Sequence, residues 1–311
     1  MAENYTDNPR NMGELASYVI TEKDEIIREI MEKQKCYFYD TCSFRRHANL
    51  DGEKAEYFLR YIKDQNGIVV ITRSILMELA SRSGLLNREY INYIKHIGDF
   101  GIKVLVIYEE DLFFVMEVCF STNAAVNEYL CWAVRMIKRP VSAVTEMLEK
   151  NVPIRNEVIK GRNLDNSGVY KRFFEAARRN KEAGDNLGEE LLMICLHILA
   201  QLPGEEDGKF CVITDDKGAA SKIDAMFKET ARHHQGKKIG IFSTPKLVQI
   251  LYRENILQNG EHIKEILGAG TEGNITVLGM LVYDIRGREI SAGREKLTEL
   301  IMQPNGINII F

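Results

Sequence analysis

The feature that most constrains this chain is a series of short apolar runs separated by segments with helix-period apolar spacing. The runs are residues 36–39, 68–71, 101–108, 210–214 and 239–242. Runs of this length without polar alternation read as strands buried on both faces, and the helical segments between them read as crossovers. The pattern predicts an α/β fold with a mostly parallel central sheet flanked by helices.

The predicted helices cover residues 22–34, a polar stretch to about 65, a segment from about 74 that contains Glu78, and residues 189–202, 219–233 and 244–254. Residues 112–180 break the β-α rhythm and read as helices interrupted at Pro140 and Pro153. After Gly260 the character changes again. Residues 275–283 and 307–311 look like strands flanking a charged helical segment at 293–302. The expected organisation is a polar N-terminal segment (1–21), one large domain (22–259) and a small C-terminal α+β appendage (260–311). The domain core is 35–110 and 183–255, with a helical insertion at 112–182.

Composition adds limits. Of 311 residues, 45% are hydrophobic and 28% charged, a globular balance, and a net charge of −4 neither demands nor excludes a polyanionic partner. The six cysteines show no CxxC or metal-ligand spacing, which points to a reduced, cytoplasmic setting. The longest apolar stretch, 191–202, is too short for a membrane span and contains His197 and Gln201, so no membrane partner is expected.

Two of the apolar runs stop at acids: 36–39 at Asp40, and 210–214 at Asp215-Asp216. In a parallel sheet the carboxyl ends of neighbouring strands open on one crevice, so acids placed there converge from distant parts of the chain. Strand-ending Asp residues also commonly cap the following helix. Glu78 borders the apolar arc of its helix, a position that suits a solvated edge as well as a site. Asp185, Glu189 and Glu190 surround the start of another helix, where Asn186 and Glu189 have capping-box spacing.

Taken in order, 36–43 (CYFYDTCS), 71–79 (ITRSILMEL), Gly188-Glu189 and 212–216 (VITDD) resemble the PIN-domain family of nucleases. The resemblance covers residues 35–110 and 183–255, about half of the chain; the insertion and appendage have no counterpart in compact members. It implies a Rossmann-like PIN fold and a ribonuclease with Asp40, Glu78, Glu189 and Asp216 as catalytic, metal-holding residues. Because that family opens the relevant helix with an Asp or a Gly-Glu, the third acid is ranked Glu189, then Asp185, then Glu190. Thr41, Ser43, Thr214, Asp215 and Asp185 are expected to support the site.

Carboxylates a few ångströms apart repel by roughly 4 kcal/mol per pair at an effective dielectric of about 20, so they take up protons or bind cations. Oxygen-only donors select Mg²⁺ or Mn²⁺ over zinc. Such ions activate water and steady a phosphodiester, so the expected activity is metal-dependent hydrolysis of RNA. Two other readings are a non-catalytic RNA-binding scaffold and a small-molecule phosphohydrolase. Arg155, Lys160, Arg162, Lys171, Arg172, Arg178, Arg179 and Lys181, interleaved with Tyr170, Phe173 and Phe174, form a candidate nucleic-acid surface. Beyond RNA, an inhibitor protein or a second copy of the chain stands as a partner.

Overall fold

In the computed structural model, which describes residues 5–137, 142–233 and 236–311 though not the side chains of 230–233, the five apolar runs and one short strand ahead of them form a six-stranded sheet. The strands are β1 (Val19–Ile20), β2 (Lys35–Tyr39), β3 (Gly67–Thr72), β4 (Val104–Ile107), β5 (Phe210–Ile213) and β6 (Gly240–Phe242). Their order is β1-β4-β3-β2-β5-β6, and every neighbouring pair is parallel.

Because strand side chains alternate, the sheet sorts its own residues into two apolar layers. Tyr37, Tyr39, Val69, Ile71 and Ile213 face one layer, with Phe44, Phe58, Ile91 and Val248 from helices Thr41–Ala48, Gly52–Asp64, Arg88–Asp99 and Thr244–Arg253. Phe38, Val70, Leu105 and Val212 face the other. There they meet helix Lys23–Glu32, the insertion and helix Leu187–Leu199, whose apolar residues on all sides are buried between sheet and insertion.

The appendage contains helices Gly260–Gly268 and Arg294–Met302 and a second sheet of β7 (Ile275–Met280), β8 (Arg288–Ala292) and β9 (Asn308–Ile309). Its order is β8-β7-β9, antiparallel throughout. Ile263, Val277, Leu297 and Ile309 join Leu247 and Leu251 of helix Thr244–Arg253 in one cluster, so the appendage shares the core of the large domain.

Several expectations need correction. The segment 1–21 supplies the edge strand β1, whose two residues are too few to leave a periodic signal. Strand β8 and helix Gly260–Gly268 were not anticipated; β8 buries only Ile290 and Ala292 and its sequence reads as polar. The predicted strand at 101–108 shortens to Val104–Ile107. Pro153 starts helix Val152–Val158 at its first turn, where a missing N–H costs nothing; Pro140 lies outside the described residues.

The proposed nucleic-acid surface on the insertion is also corrected. Tyr170, Phe173 and Phe174 are fully buried and offer no stacking platform. Arg178 is buried against Glu109, Glu110 and Asp7, and Arg172 is held bidentately by Glu157 at 2.8 and 3.1 Å. Arg179 pairs with Glu175 at 3.3 Å, and Lys171 approaches the same carboxylate at 3.9 Å. Arg155, Lys160 and Arg162 remain exposed, and Lys181 turns into the cleft described below.

One buried group gives the fold a pH dependence. His47 stacks on Phe58 with ring centroids 4.2 Å apart. Its Nδ1 lies 2.9 Å from the Tyr39 hydroxyl and its Nε2 2.9 Å from the Thr244 hydroxyl. Thr244 already donates to Asp215, so the imidazole carries its proton on Nε2 and accepts from Tyr39. Burial, opposed by Asp215 and reinforced by Arg46, pushes its pKa down to about 4. The unfolded chain binds the extra proton from about pH 6.5 downward, so this residue withdraws stability as pH falls from about 6.5 to about 4, by up to about 3 kcal/mol. Urea unfolding of wild type and His47→Gln at pH 7, 5.5 and 4.5 should show the steeper loss in wild type; parallel curves would refute this assignment.

Candidate active site

The chain reverses its winding at β2, which has β3 on one side and β5 on the other. A crevice therefore opens beyond the carboxyl ends of β2 and β5. Asp40 follows β2 directly, and Thr214, Asp215 and Asp216 follow β5. A cavity of about 710 Å³ lies there, lined by Asp40, Glu78, Asp185, Glu189 and Asp216 together with Thr41, Lys181 and Lys222. Four separate segments thus deliver the four carboxylates named from the sequence, with Asp185 beside them.

Both strand-end acids also cap helices, so the structural and the site roles coexist. Asp40 Oδ1 accepts from the Thr41 amide at 2.8 Å, which starts helix Thr41–Ala48. Its Oδ2 accepts from Thr214 Oγ1 and Cys42 Sγ, each at 2.9 Å. Asp216 Oδ1 accepts from the Ala219 amide at 3.0 Å in the first turn of helix Lys217–His233. Burial raises the pKa of Asp40; the bonds from Cys42, Thr214 and Thr41 oppose that, and Glu78 adds to it.

Glu78 leans from helix Arg73–Ala80 into the cleft, where its Oε2 accepts from Thr41 Oγ1 at 2.5 Å and its Oε1 lies 2.8 Å from Lys181 Nζ. Lys181 also binds Asp185. Burial works to lower the Lys181 pKa, but Glu78 and Asp185 outweigh it and hold the ammonium above its ordinary value. Glu189 pairs with Lys222 at 2.7 Å. Burial raises the Glu189 carboxyl, Lys222 opposes this, and the nearby Asp216 and Asp40 charges push it up again. Glu189 thus feels the field of both strand-end acids.

Gly188 explains why Glu78 can reach so far. A Cβ at position 188 would stand 2.3 Å from Glu78 Oε1 and 2.7 Å from its Cδ. The Gly188-Glu189 pair therefore works as a unit: the first residue yields space and the second supplies a carboxylate. Gly188→Ala should change stability by no more than about 1 kcal/mol, since the helix preference of Ala is offset by the bonds that Glu78 gives up to Thr41 and Lys181. Glu78 should be driven from Thr41 and Lys181, and a structure of the variant with both contacts intact would refute this role for Gly188.

Other sequence expectations fall elsewhere. Asn186 makes no side-chain cap, and Glu189 faces Lys222, so the capping box does not form. Glu190 turns from the cleft to accept from Ser142 Oγ at 2.7 Å and the Val144 amide at 2.9 Å. Ser43 is fully buried and its hydroxyl has no hydrogen-bond partner among the described residues, so it does not support the site. Asp215 also points away. It accepts from the Thr244 amide at 2.7 Å and hydroxyl at 2.6 Å and lies 3.4 Å from Arg46. Burial opposes its ionisation, but Arg46, His47 and Thr244 prevail and hold its carboxyl below the usual range.

Sequence reasoning missed Lys222 altogether and placed Lys181 on an outer surface. Their only sequence signal is position: Lys181 stands four residues before Asp185, and Lys222 lies one and a half turns into the helix that follows Asp216. Among the described residues, no three acidic, histidine or cysteine side chains close together tightly enough to hold an ion as they stand. The two lysines neutralise Glu78, Asp185 and Glu189 instead. None of the described helices is long and apolar enough to cross a membrane. Comparison with protein-family models, curated proteins and solved structures finds no match to this chain.

Proposed function

We propose that the cleft is the active site of a metal-dependent ribonuclease with a PIN-like core. The observation that carries this reading is the convergence of Asp40, Glu78, Glu189 and Asp216, from four separate segments, on the crevice beyond β2 and β5. Counted from β2, the five strands anticipated from the sequence run in the order third, second, first, fourth, fifth, a doubly wound arrangement that suits a Rossmann-like PIN fold.

The donor set fits a hard divalent ion. Every acid in the cleft offers oxygen, and Glu189 Oε1, buried beside Lys222 Nζ at 2.7 Å, is held by a cation that a metal ion would replace. Asp40, Asp216, Glu189 and Glu78 are the residues that would hold Mg²⁺ or Mn²⁺. Bound there, the ion would supply an activated water and neutralise charge on the departing oxygen. Thr214 and Thr41 fix the orientation of Asp40 and Glu78, and Cys42 closes the floor beside Asp40. Lys181 and Lys222, which line the same cleft, would present positive charge toward a substrate phosphate.

The test is incubation of purified protein with mixed single-stranded RNAs and Mn²⁺ or Mg²⁺. Metal-dependent cleavage that EDTA abolishes is the expected outcome. RNA binding without cleavage would replace the enzyme with a scaffold. Hydrolysis of small phosphoesters with RNA left intact would redirect the same acids to a phosphohydrolase.

A further inference from the structure

A second cavity, of about 270 Å³, lies between the ends of β5 and β6 and the appendage. Cys42 lines both this cavity and the acidic cleft, so the two open on either side of a single side chain. Cys42 is fixed there: its thiol donates to Asp40 and its sulfur accepts from the Asp215 amide at 3.3 Å. Whatever is bound in the second cavity is therefore adjacent to whatever is cut in the first.

Its chemistry differs from that of the cleft. The two cations on its wall are already matched. Arg46 faces Asp215 at 3.4 Å and donates to the carbonyls of Ile266 and Leu267, while Lys217 pairs with Glu289 at 3.3 Å. A phosphate would find little unspent positive charge here. Pro245 and Phe311 line it beside Ile275 and Val277, whose side chains are buried in the core, while Asn274 is exposed on the lining and Thr276, which donates to Ser291 at 3.2 Å, keeps its hydroxyl oxygen as an acceptor. Apolar walls with a few neutral hydrogen-bonding groups suit a flat, uncharged heterocycle with polar edges.

We propose that this cavity is a nucleobase subsite, which receives the base of a nucleotide flanking the phosphate in the acidic cleft, with Asn274 and Thr276 as specificity-determining residues. The proposal rests on the ribonuclease reading and narrows its substrate to single-stranded RNA, whose unstacked base is free to enter a pocket. It also moves substrate choice from the insertion, which packs on the other layer of the sheet, to the appendage.

The test uses fluorescein-labelled pentaribonucleotides of A, C, G and U in Ca²⁺, read by anisotropy, with wild type, Asn274→Ala and Thr276→Trp. Neither substitution touches the carboxylates, and Asn274 is exposed, so it reports even if the tryptophan disturbs folding. Wild type should prefer one base; Thr276→Trp should weaken that oligonucleotide about tenfold, and Asn274→Ala should narrow the preference. Equal binding of all four by wild type, or both variants binding as wild type does, would overturn the subsite. Cleavage in Mn²⁺ is scored separately. Cleavage without these binding effects removes the subsite alone; these binding effects without cleavage remove the ribonuclease reading and keep the subsite; absence of binding removes the subsite.

Discussion

Asp40→Asn and Asp216→Asn should each lower metal-dependent RNA cleavage about 10³-fold, the loss expected when several kcal/mol of charge stabilisation disappear. The folded state should survive both. Asn serves as an N-cap about as well as Asp, so helices Thr41–Ala48 and Lys217–His233 keep their first turns. At Asp40 the substitution relieves a cost of burial but sets an NH₂ group against Thr214 and Cys42, which now donate to Oδ2, so the two effects offset. Thermal unfolding at pH 7 should thus change little while activity collapses. Equal cleavage by wild type and both variants would remove these residues from the chemistry.

Arg178→Met should destabilise the fold by about 3–5 kcal/mol, the cost of leaving a buried charge without its partner. Arg178 Nη1 contacts Glu109 Oε2 at 2.5 Å and Glu110 Oε2 at 2.6 Å, Nη2 contacts Glu110 Oε1 at 2.7 Å, and Nε contacts Asp7 at 3.1 Å. Burial works against the guanidinium charge, but Glu109, Glu110 and Asp7 more than offset it and hold its pKa above the ordinary value. Glu109 is completely buried, and its other oxygen accepts from the Ser74 amide at 2.7 Å. That bond anchors the start of helix Arg73–Ala80, which carries Glu78, so the substitution should loosen the site as well as the fold. Urea unfolding measures the first effect. The double variant Arg178→Met/Glu109→Gln should recover part of the loss, because the stranded charge is removed with its partner. A single variant as stable as wild type would mean that the network is replaceable by apolar contact alone.

The legible part of this molecule was the part encoded by local succession. Residues 36–39 and 210–214 are apolar runs followed at once by acids, and parallel pairing converts that order into a shared crevice without further information. Glu78 was legible because its helix follows β3 directly, and Gly188-Glu189 because the pair sits at a helix start. What stayed hidden depends on partners far away in sequence. Arg178 looks like one of eight basic residues until Glu109, Glu110 and Asp7 surround it. Lys181 looks like their neighbour until Glu78 faces it, 103 positions away, and Lys222 meets Glu189 only because helices Leu187–Leu199 and Lys217–His233 pack together. The appendage gave the weakest signal: β8 is largely exposed, and the second cavity needs β7 and the segments that follow β5 and β6 at once.

The central claim, that the converging carboxylates are a site for a divalent ion, is tested most directly by anomalous scattering from crystals soaked in millimolar Mn²⁺. The expected result is a manganese peak with oxygens of Asp40 and Asp216 at about 2.0 to 2.6 Å, directly or through one water, and Lys222 drawn away from Glu189. A cleft without manganese, with Lys181 and Lys222 still bound to Glu78 and Glu189, would contradict it.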